Sequence, residues 1–275
     1  MDRTAFKGVV FDVDGTLLTS RNEVSSQMRA VCRALRSAGV WISIASARPP
    51  RSVLMIADTI DAPGPCCALN GAVVVGRDGT VLQRQSIPHD TAQALVTRFA
   101  EDARLSLNLY SSTHWIVPAL DDRVLEEAAI VGHRPAVDRS LATDECIEKI
   151  LLMAEEPVAA ALADEISAEY DDVNVFRSKP HYVEITSASI DKARGVEVAA
   201  RETGLSLRDI VACGDAENDV PLLERAGFGI SMAHGPEELR RVASRVVGSN
   251  DDNSLPMALK ELFALQHEAG SGAPR

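Results

Sequence analysis

The sequence predicts an α/β protein in which a parallel sheet with flanking helices is interrupted by an inserted α+β segment. Two observations support this fold class. Short apolar runs alternate with amphipathic helical segments at the start of the chain and again from Asp191 onward, and this alternation is typical of open parallel sheets. Between these two parts, strand-like runs with only a few helices are typical of an antiparallel arrangement.

The first part of the chain alternates strands and helices. Residues 8–11 form an uninterrupted apolar run, which is typical of a strand buried on both faces. Met28, Val31 and Leu35 recur at helical spacing within 25–37, and Gly39 follows as a helix stop. The next predicted elements are a strand at 40–45, a helix at 51–60, a strand at 66–69 and a hairpin of strands at 72–75 and 80–83.

The remaining predicted elements lie in the inserted segment and in the strand–helix alternation that resumes after it. In the insertion we expect helices at 89–103 and 158–168 and strands at 105–110, 114–118, 147–154, 173–177 and 182–186. After it we expect helices at 193–203, 220–226, 237–243 and 255–265 and strands at 210–213 and 229–232. The predicted domains are a core at 1–82 and 187–267, an inserted domain at 83–186 and a flexible tail at 268–275.

Composition and charge exclude several function classes. The chain has 275 residues, of which 46% are hydrophobic and 25% charged, so a disordered or low-complexity protein is excluded. Its 28 Lys+Arg against 40 Asp+Glu give a net charge of −12. Such a field repels a phosphate backbone, so we expect no nucleic-acid partner. The same field favours a metal cation.

Location is predicted from cysteine usage and hydropathy. The five cysteines show no metal-site or redox-motif spacing, so we expect reduced thiols, most of them buried. No run approaches the ~20 apolar residues that span a bilayer, and no signal-peptide core is present. We therefore predict a cytoplasmic protein without a membrane partner.

Two aspartates follow the first strand directly. Asp12 and Asp14 are two residues apart in an extended segment, so both carboxylates lie on one side of the backbone. Gly15 then permits a sharp turn. Ligands of open α/β sheets bind beyond the carboxyl ends of strands, and two close carboxylates need a cation such as Mg²⁺. A solvated Asp-rich turn is the alternative.

A second acidic segment follows the strand at 210–213. Asp215 lies several residues before the next helix, so a capping role does not explain it. Asn218 and Asp219 precede Pro221, and either residue can be an ordinary helix N-cap. The alternative function of this segment is to complete the metal site at the same sheet edge.

Two further positions favour an anionic ligand. Ser46 and Ala47 follow the second strand, where a hydroxyl and backbone N–H groups can hold phosphate oxygens; simple loop chemistry is the alternative. Lys192 opens the first helix after the insertion, where a cation is unfavourable for the helix dipole. A nearby anion explains it, and a surface lysine is the alternative.

Together, these segments resemble the motifs of the haloacid dehalogenase superfamily of phosphotransferases. The matching order is Asp-x-Asp-Gly-Thr from Asp12, a hydroxyl at Ser46, Lys192, and Gly-Asp-x-x-Asn-Asp from Gly214. Asn70-Gly71 and the position of the insertion resemble the Cof-type branch with a C2 cap. The resemblance implies a Rossmann-like parallel core, an α+β cap and a phosphatase that acts on a small phosphorylated metabolite.

The resemblance also implies residue roles. Asp12 would be the nucleophile that forms an aspartyl-phosphate, and Asp14 the general acid and base. Mg²⁺ would be held by Asp12, the main-chain carbonyl of Asp14 and Asp215, with Asp219 in support.

The phosphate-binding roles come from the same resemblance. The phosphoryl group would be bound by Ser46, Ala47 and Lys192, and Asn218 would contact phosphate or the metal shell. Two alternative functions stay open at this point. One is a phosphomutase of the same superfamily, and the other is a non-catalytic module that binds metal or phosphate.

Four residues near the end of the insertion are further candidates for substrate contact. They are Arg177, Lys179, His181 and Tyr182.

Overall fold

The computed structural model describes residues 6–141 and 146–265. The strands are β1 (Gly8–Phe11), β2 (Trp41–Ile44), β3 (Cys66–Ala68), β4 (Val73–Val75), β5 (Val81–Arg84), β6 (Leu105–Tyr110), β7 (Trp115–Val117), β8 (Ala136–Val137), β9 (Lys149–Ala154), β10 (Val173–Phe176), β11 (Tyr182–Ser187), β12 (Ile210–Gly214), β13 (Phe228–Met232) and β14 (Arg245–Val247). The helices are α1 (Ser26–Ser37), α2 (Pro50–Thr59), α3 (His89–Phe99), α4 (Asp122–Val131), α5 (Glu156–Glu169), α6 (Lys192–Arg201), α7 (Val220–Arg225), α8 (Glu237–Val242) and α9 (Ser254–Leu262).

A five-stranded parallel sheet forms the core, in the order β14-β13-β12-β1-β2. β1 lies between β12 and β2 and is fully buried, as its apolar run predicts. Phe11, its last residue, pairs with Cys213 of β12 and Ile44 of β2. This register ends three neighbouring strands at the same level, so the segments that follow them meet at one edge of the sheet.

A small antiparallel sheet of β3, β4 and β5 adjoins this core. The predicted hairpin is confirmed by β4 and β5. The strand predicted at 66–69 is present as β3, but its ladder is with β4. A single parallel bridge between Ala45 and Cys67 connects it to the end of β2.

The inserted segment builds a six-stranded sheet in the order β10-β11-β9-β6-β7-β8, antiparallel except for β7 and β8. One face packs on α3 and α5, where Leu95, Phe99 and Ile166 form a separate apolar cluster with the strands. Tyr110, Trp115 and side chains of α4 belong instead to the apolar cluster of the parallel sheet. The six-stranded sheet therefore packs against the core through α4 and its neighbours.

Three elements of the described residues are absent from the sequence-based prediction. They are α4, the short edge strand β8, and β14 at the outer edge of the parallel sheet. Asp121 caps α4 by accepting a hydrogen bond from Val124 N at 2.9 Å, and Gly132 ends it in a left-handed conformation. The predicted tail at 268–275 lies outside the described residues.

Across residues 6–141 and 146–265, no helix is both long and apolar enough to cross a bilayer.

Candidate active site

The turn after β1 brings the first two aspartates to the edge of the sheet. Asp12 N donates to Cys213 O at 2.9 Å, which continues the β1–β12 ladder to the start of the acidic segment. Gly15 has a positive φ of 82°, and a Cβ there would collide with the carboxylate of Asp215. Only glycine therefore permits both this backbone conformation and the close approach of Asp215.

Lys192 is buried between two carboxylates. Its Nζ donates to Asp12 Oδ1 and to Asp219 Oδ1, each at 2.6 Å, and its side chain is 1% exposed. Burial alone would lower the pKa of the Lys192 ammonium, but Asp12 and Asp219 outweigh burial and hold that pKa above its usual value. The lysine therefore places a cation between the two carboxylates, and its burial excludes the surface-lysine alternative.

Asp12, Asp215 and Asp219 form an acidic cluster in which one oxygen of each lies within 4.8 Å of the others. Burial raises the pKa of Asp12, Lys192 opposes this, and the charges of Asp219 and Asp215 add to it. Three carboxylates beside one ammonium leave excess negative charge, which a divalent cation would balance. Carboxylate oxygens are the hard ligands that Mg²⁺ prefers, so the donor set fits this ion.

The oxygens of Asp219 are already used within the protein. Its Oδ2 accepts from the backbone N–H groups of Asp215 and Ala216, each at 3.0 Å, and Oδ1 accepts from Lys192. Asp219 has no capping hydrogen bond to α7, so its side chain organises the acidic loop instead. Asp215 accepts from Thr16 Oγ1 at 2.7 Å, and its second oxygen lies 3.3 Å from His234 Nε2.

Arg48 holds the Asp14 carboxylate in a two-point contact. Nε donates to Asp14 Oδ2 at 2.8 Å and Nη2 donates to Oδ1 at 2.7 Å. Burial alone would raise the pKa of Asp14, but the guanidinium outweighs it and lowers that pKa below its usual value. Nη1 of the same arginine donates to Ile130 O in the last turn of α4 at 2.9 Å. Arg48 thus contacts both the core aspartate and the inserted segment.

A small cavity of about 60 Å³ joins these groups to the six-stranded sheet. The parallel-sheet core contributes eight residues to its lining, which are Asp12, Asp14, Ser46, Ala47, Arg48, Asp215, Ala216 and Asn218. The inserted segment contributes Glu127, Ile130, Lys149, Ser178, Lys179, Tyr182 and Glu184.

Most predicted site residues therefore meet around one cavity. Asp219 and Lys192 do not line this cavity, but Lys192 bonds Asp12, which does, and joins it to Asp219. Of the four further candidates, Lys179 and Tyr182 line the cavity, whereas Arg177 bonds to Pro180 O and His181 is exposed.

Four charged lining residues have no role in the sequence-based prediction: Arg48, Glu127, Lys149 and Glu184. Tyr182 Oη donates to Glu127 Oε2 at 2.6 Å, and Lys149 Nζ donates to Ala47 O at 2.7 Å. A recognisable signal existed for Glu127, because the helix that carries it has an Asp cap and a Gly stop. Lys149 and Glu184 lie in strands whose apolar character hides their pairing.

The order of these groups along the chain and their geometry agree with one family. A model of the haloacid dehalogenase-like hydrolases matches residues 9–259. The chain belongs to this family. The family and the α/β fold class predicted from the sequence are both confirmed.

Relatives and solved structures cover nearly the whole chain. A Bacillus subtilis protein named 5-amino-6-(5-phospho-D-ribitylamino)uracil phosphatase YitU is 25% identical over 268 residues, which cover 94% of this chain and 97% of that protein. The solved structure of the phosphatase BT1666 from Bacteroides thetaiotaomicron is 27% identical, with a TM-score of 0.77 over 95% of this chain and 96% of that one. The subclass IIB sugar phosphatase BT4131 has the same fold, with a TM-score of 0.82 at 21% identity, covering 94% and 100%. This haloacid dehalogenase-like hydrolase is thus an enzyme whose relatives include named phosphatases.

Proposed function

We propose that the protein hydrolyses a small phosphorylated metabolite through an aspartyl-phosphate on Asp12, with Mg²⁺ as cofactor. The observation that carries this proposal is the contact of Lys192 with Asp12 at 2.6 Å, beside Asp215 and at the wall of a small cavity. An anionic ester repels an anionic nucleophile unless cations neutralise both. This site supplies one fixed cation and the ligands for a second.

The reaction follows from the positions of the two aspartates. Asp12 attacks phosphorus and the ester P–O bond breaks. Asp14, which must be released from Arg48 and carry a proton in this step, gives that proton to the departing alkoxide. Asp14 then takes a proton from water, and that water attacks phosphorus. The acyl–phosphate bond breaks, inorganic phosphate leaves, and Asp12 returns as a carboxylate.

The metal would be held by Asp12, the main-chain carbonyl of Asp14 and Asp215. When bound, Mg²⁺ would neutralise charge on the phosphoryl oxygens. Asp219 supports this arrangement from behind, because its oxygens hold Lys192 and the N–H groups of the acidic loop.

Lys192, Ser46 and Ala47 would bind the transferring phosphoryl group. Ser46 is buried at the end of β2, and its hydroxyl accepts from Arg48 N at 3.2 Å, so its own hydrogen is free to point to an oxyanion. The backbone N–H of Ala47 lies in the same strand–helix turn, which is a recurrent place for phosphate oxygens.

Residues 83–186 would act as a cap, with the core at 1–82 and 187–267. Arg48 bonded to Ile130 O and Lys149 bonded to Ala47 O cross between the two parts at the cavity. A cap that meets the core here would exclude water and select the leaving group. The name of the Bacillus relative supports a small metabolite phosphomonoester as substrate. The net charge of −12 supports a function without nucleic acid, and a cytoplasmic location stays a prediction.

The test is phosphate release from a panel of phosphorylated metabolites, with Mg²⁺ and with excess chelator. We expect phosphate release from at least one polyol or sugar phosphate when Mg²⁺ is present, and no release in excess chelator. A phosphomutase would instead interconvert sugar phosphates without releasing phosphate, so product analysis of the same reactions separates the two activities. Mg²⁺ binding without turnover of any ester would contradict the proposal and favour a binding module.

A further inference from the structure

A lysine of the inserted segment holds one carbonyl of the turn that follows β2. Lys149 is the first residue of β9, and its Nζ donates to Ala47 O at 2.7 Å. The neighbouring peptide groups of this turn bond within the core instead. Ser46 N donates to Cys67 O, and Ser46 O accepts from Asn70 N, each at 3.0 Å. The Ala47 carbonyl is therefore the point at which the inserted segment enters the backbone hydrogen bonds of the turn.

The Lys149 ammonium has three partners, as many as it has N–H donors. Besides Ala47 O, it lies 3.4 Å from Glu184 Oε2 and 4.8 Å from the centre of the Tyr110 ring. Its side chain is only 4% exposed. Because the side chain is nearly shielded from water, its charge strengthens the hydrogen bond to the carbonyl.

The peptide group that Lys149 holds also contacts the Ser46 hydroxyl. The carbonyl of Ala47 and the N–H of Arg48 belong to one planar peptide group, and Arg48 N donates to Ser46 Oγ at 3.2 Å. A hydroxyl that accepts this bond keeps its single hydrogen for another acceptor. A rotation of the peptide plane would move both of its polar groups, so the contact that fixes the carbonyl also fixes the donor to Ser46.

We infer that Lys149 is a positioning residue that holds the peptide group between Ala47 and Arg48, so that the Ser46 hydroxyl donates its hydrogen to the transferring phosphoryl group. This inference rests on the proposed function. It gives the inserted segment a part in phosphate binding, in addition to the selection of a leaving group. Direct contact of Lys149 with the phosphoryl group is the competing explanation, because Lys149 also lines the cavity.

A double-mutant cycle on kcat/KM, with the best phosphomonoester of the panel, separates these explanations. S46A and K149M should each lower kcat/KM about tenfold, because each removes the oriented donor to the phosphoryl group. Since Lys149 acts through Ser46, the double variant S46A/K149M should also be about tenfold below the wild type. A double variant about a hundredfold below the wild type would overturn the inference, because the two residues would then act independently.

K179M is the matched control for this cycle. Lys179 is a second lysine that lines the cavity from the inserted segment, and its ammonium lies over the Tyr182 ring at 4.3 Å instead of on the turn. Any loss of kcat/KM in K179M should therefore multiply with the loss in S46A. Equal coupling of both lysines to Ser46 would overturn the inference, because the coupling would then not depend on the bond to Ala47.

A further variant separates positioning from stability. K149M leaves the buried Glu184 carboxylate without its cation, so K149M/E184Q should be more stable than K149M in urea unfolding. The tenfold loss of kcat/KM should persist in K149M/E184Q, because the Ala47 carbonyl still lacks its donor. Recovery of kcat/KM together with stability would overturn the inference.

Binding of inorganic phosphate distinguishes failure of this inference from failure of the proposed function. In calorimetry with Mg²⁺, phosphate should bind S46A, K149M and the double variant with similar Kd values, each about tenfold weaker than the wild type. A wild-type protein that releases no phosphate from any ester would contradict the phosphatase proposal, and similar Kd values would still support the role of Lys149. Multiplied losses in this titration would overturn that role even if esters are hydrolysed, and a wild type that binds no phosphate would contradict both.

Discussion

Lys192 Nζ lies 2.6 Å from Asp12 Oδ1, although the two residues are 180 positions apart in the chain. The same ammonium bonds Asp219 at the same distance. One buried cation therefore joins the loop after β1, the start of α6 and the loop after β12. The candidate nucleophile is therefore held by the first residue of α6, the first helix after the inserted segment.

Removal of this cation should destabilise the fold. In K192M, two buried carboxylates lose their partner, and we expect the free energy of unfolding to fall by about 3–5 kcal/mol in chelator. Adding D219N should recover part of the stability because one unpaired charge is gone, without recovering activity. Urea unfolding measures both effects. The control is K7M, since Lys7 is 65% exposed beside Asp209 and should change stability by no more than about 0.5 kcal/mol. Equal stability of K192M and K7M would refute the stabilisation of the two buried carboxylates by Lys192.

Acid should remove the contribution of the Asp14–Arg48 pair. The folded-state pKa of Asp14 is lowered from its usual 3.8, so the pair stabilises the protein above pH 3.8 and loses its effect as pH falls through the lower folded value. D14N should therefore be less stable than wild type at pH 7, and the difference should shrink only as pH falls below 3.8. Urea unfolding in chelator across this range measures the difference. A difference that does not change with pH would rule out the pair as its source.

Mg²⁺ should stabilise the protein through Asp215. Metal that binds only the folded state raises the unfolding temperature as its concentration rises. In D215N we expect a metal-free protein at least as stable as wild type, because one of three crowded carboxylates is neutral, and little further gain from Mg²⁺. D171N, at an exposed acid outside the cavity, is the matched control and should respond to Mg²⁺ like wild type. Calorimetry gives the dissociation constants, and undiminished Mg²⁺ binding by D215N would place the metal elsewhere.

Only one thiol should react readily in the native protein. Cys146 is exposed, whereas Cys32, Cys66, Cys67 and Cys213 are buried. Burial raises the pKa of the Cys32 thiol to about 12, so its reactive thiolate is scarce. A disulfide reagent should label one thiol quickly in the native state and all five after denaturation. C146S should remove the fast phase, and a fast phase of more than one thiol would show that the core opens readily.

The sequence was sufficient for the parallel core and its acidic edge. The buried runs at β1 and β12 and the aspartates after them are local signals, because the end of a strand and the turn that follows it are set by neighbouring residues. Asp12, Asp14 and Asp215 follow from them directly. Pairing across long separations is different: the family resemblance implied only that Lys192 binds the phosphoryl group at the same site, and its contact with Asp12 comes from the structure.

The inserted segment was less accessible to sequence reasoning. α4 had readable signals, since Asp121 caps it and Val124, Ala128 and Val131 recur at helical spacing. Because the sequence-based prediction omitted α4, it did not include Glu127 and Ile130 among the site residues.

Lys149 and Glu184 could not be paired from sequence. They lie in separate strands, and the register that brings them together depends on tertiary packing. In a sequence, a charged residue within an apolar strand is read as solvent-exposed unless the buried partner that pairs with it is known.

The most direct test of the account is a single-turnover reaction with excess enzyme, Mg²⁺ and the best phosphomonoester of the panel, quenched in acid. Peptide mass spectrometry should find one phosphoryl group on Asp12 in the wild type at early times, and none after the reaction is complete. D12N should form no phosphoenzyme and release no phosphate while retaining the wild-type fold by circular dichroism. Phosphate release by D12N at the wild-type rate, or a phosphoryl group on another residue, would contradict the assignment of Asp12 as nucleophile.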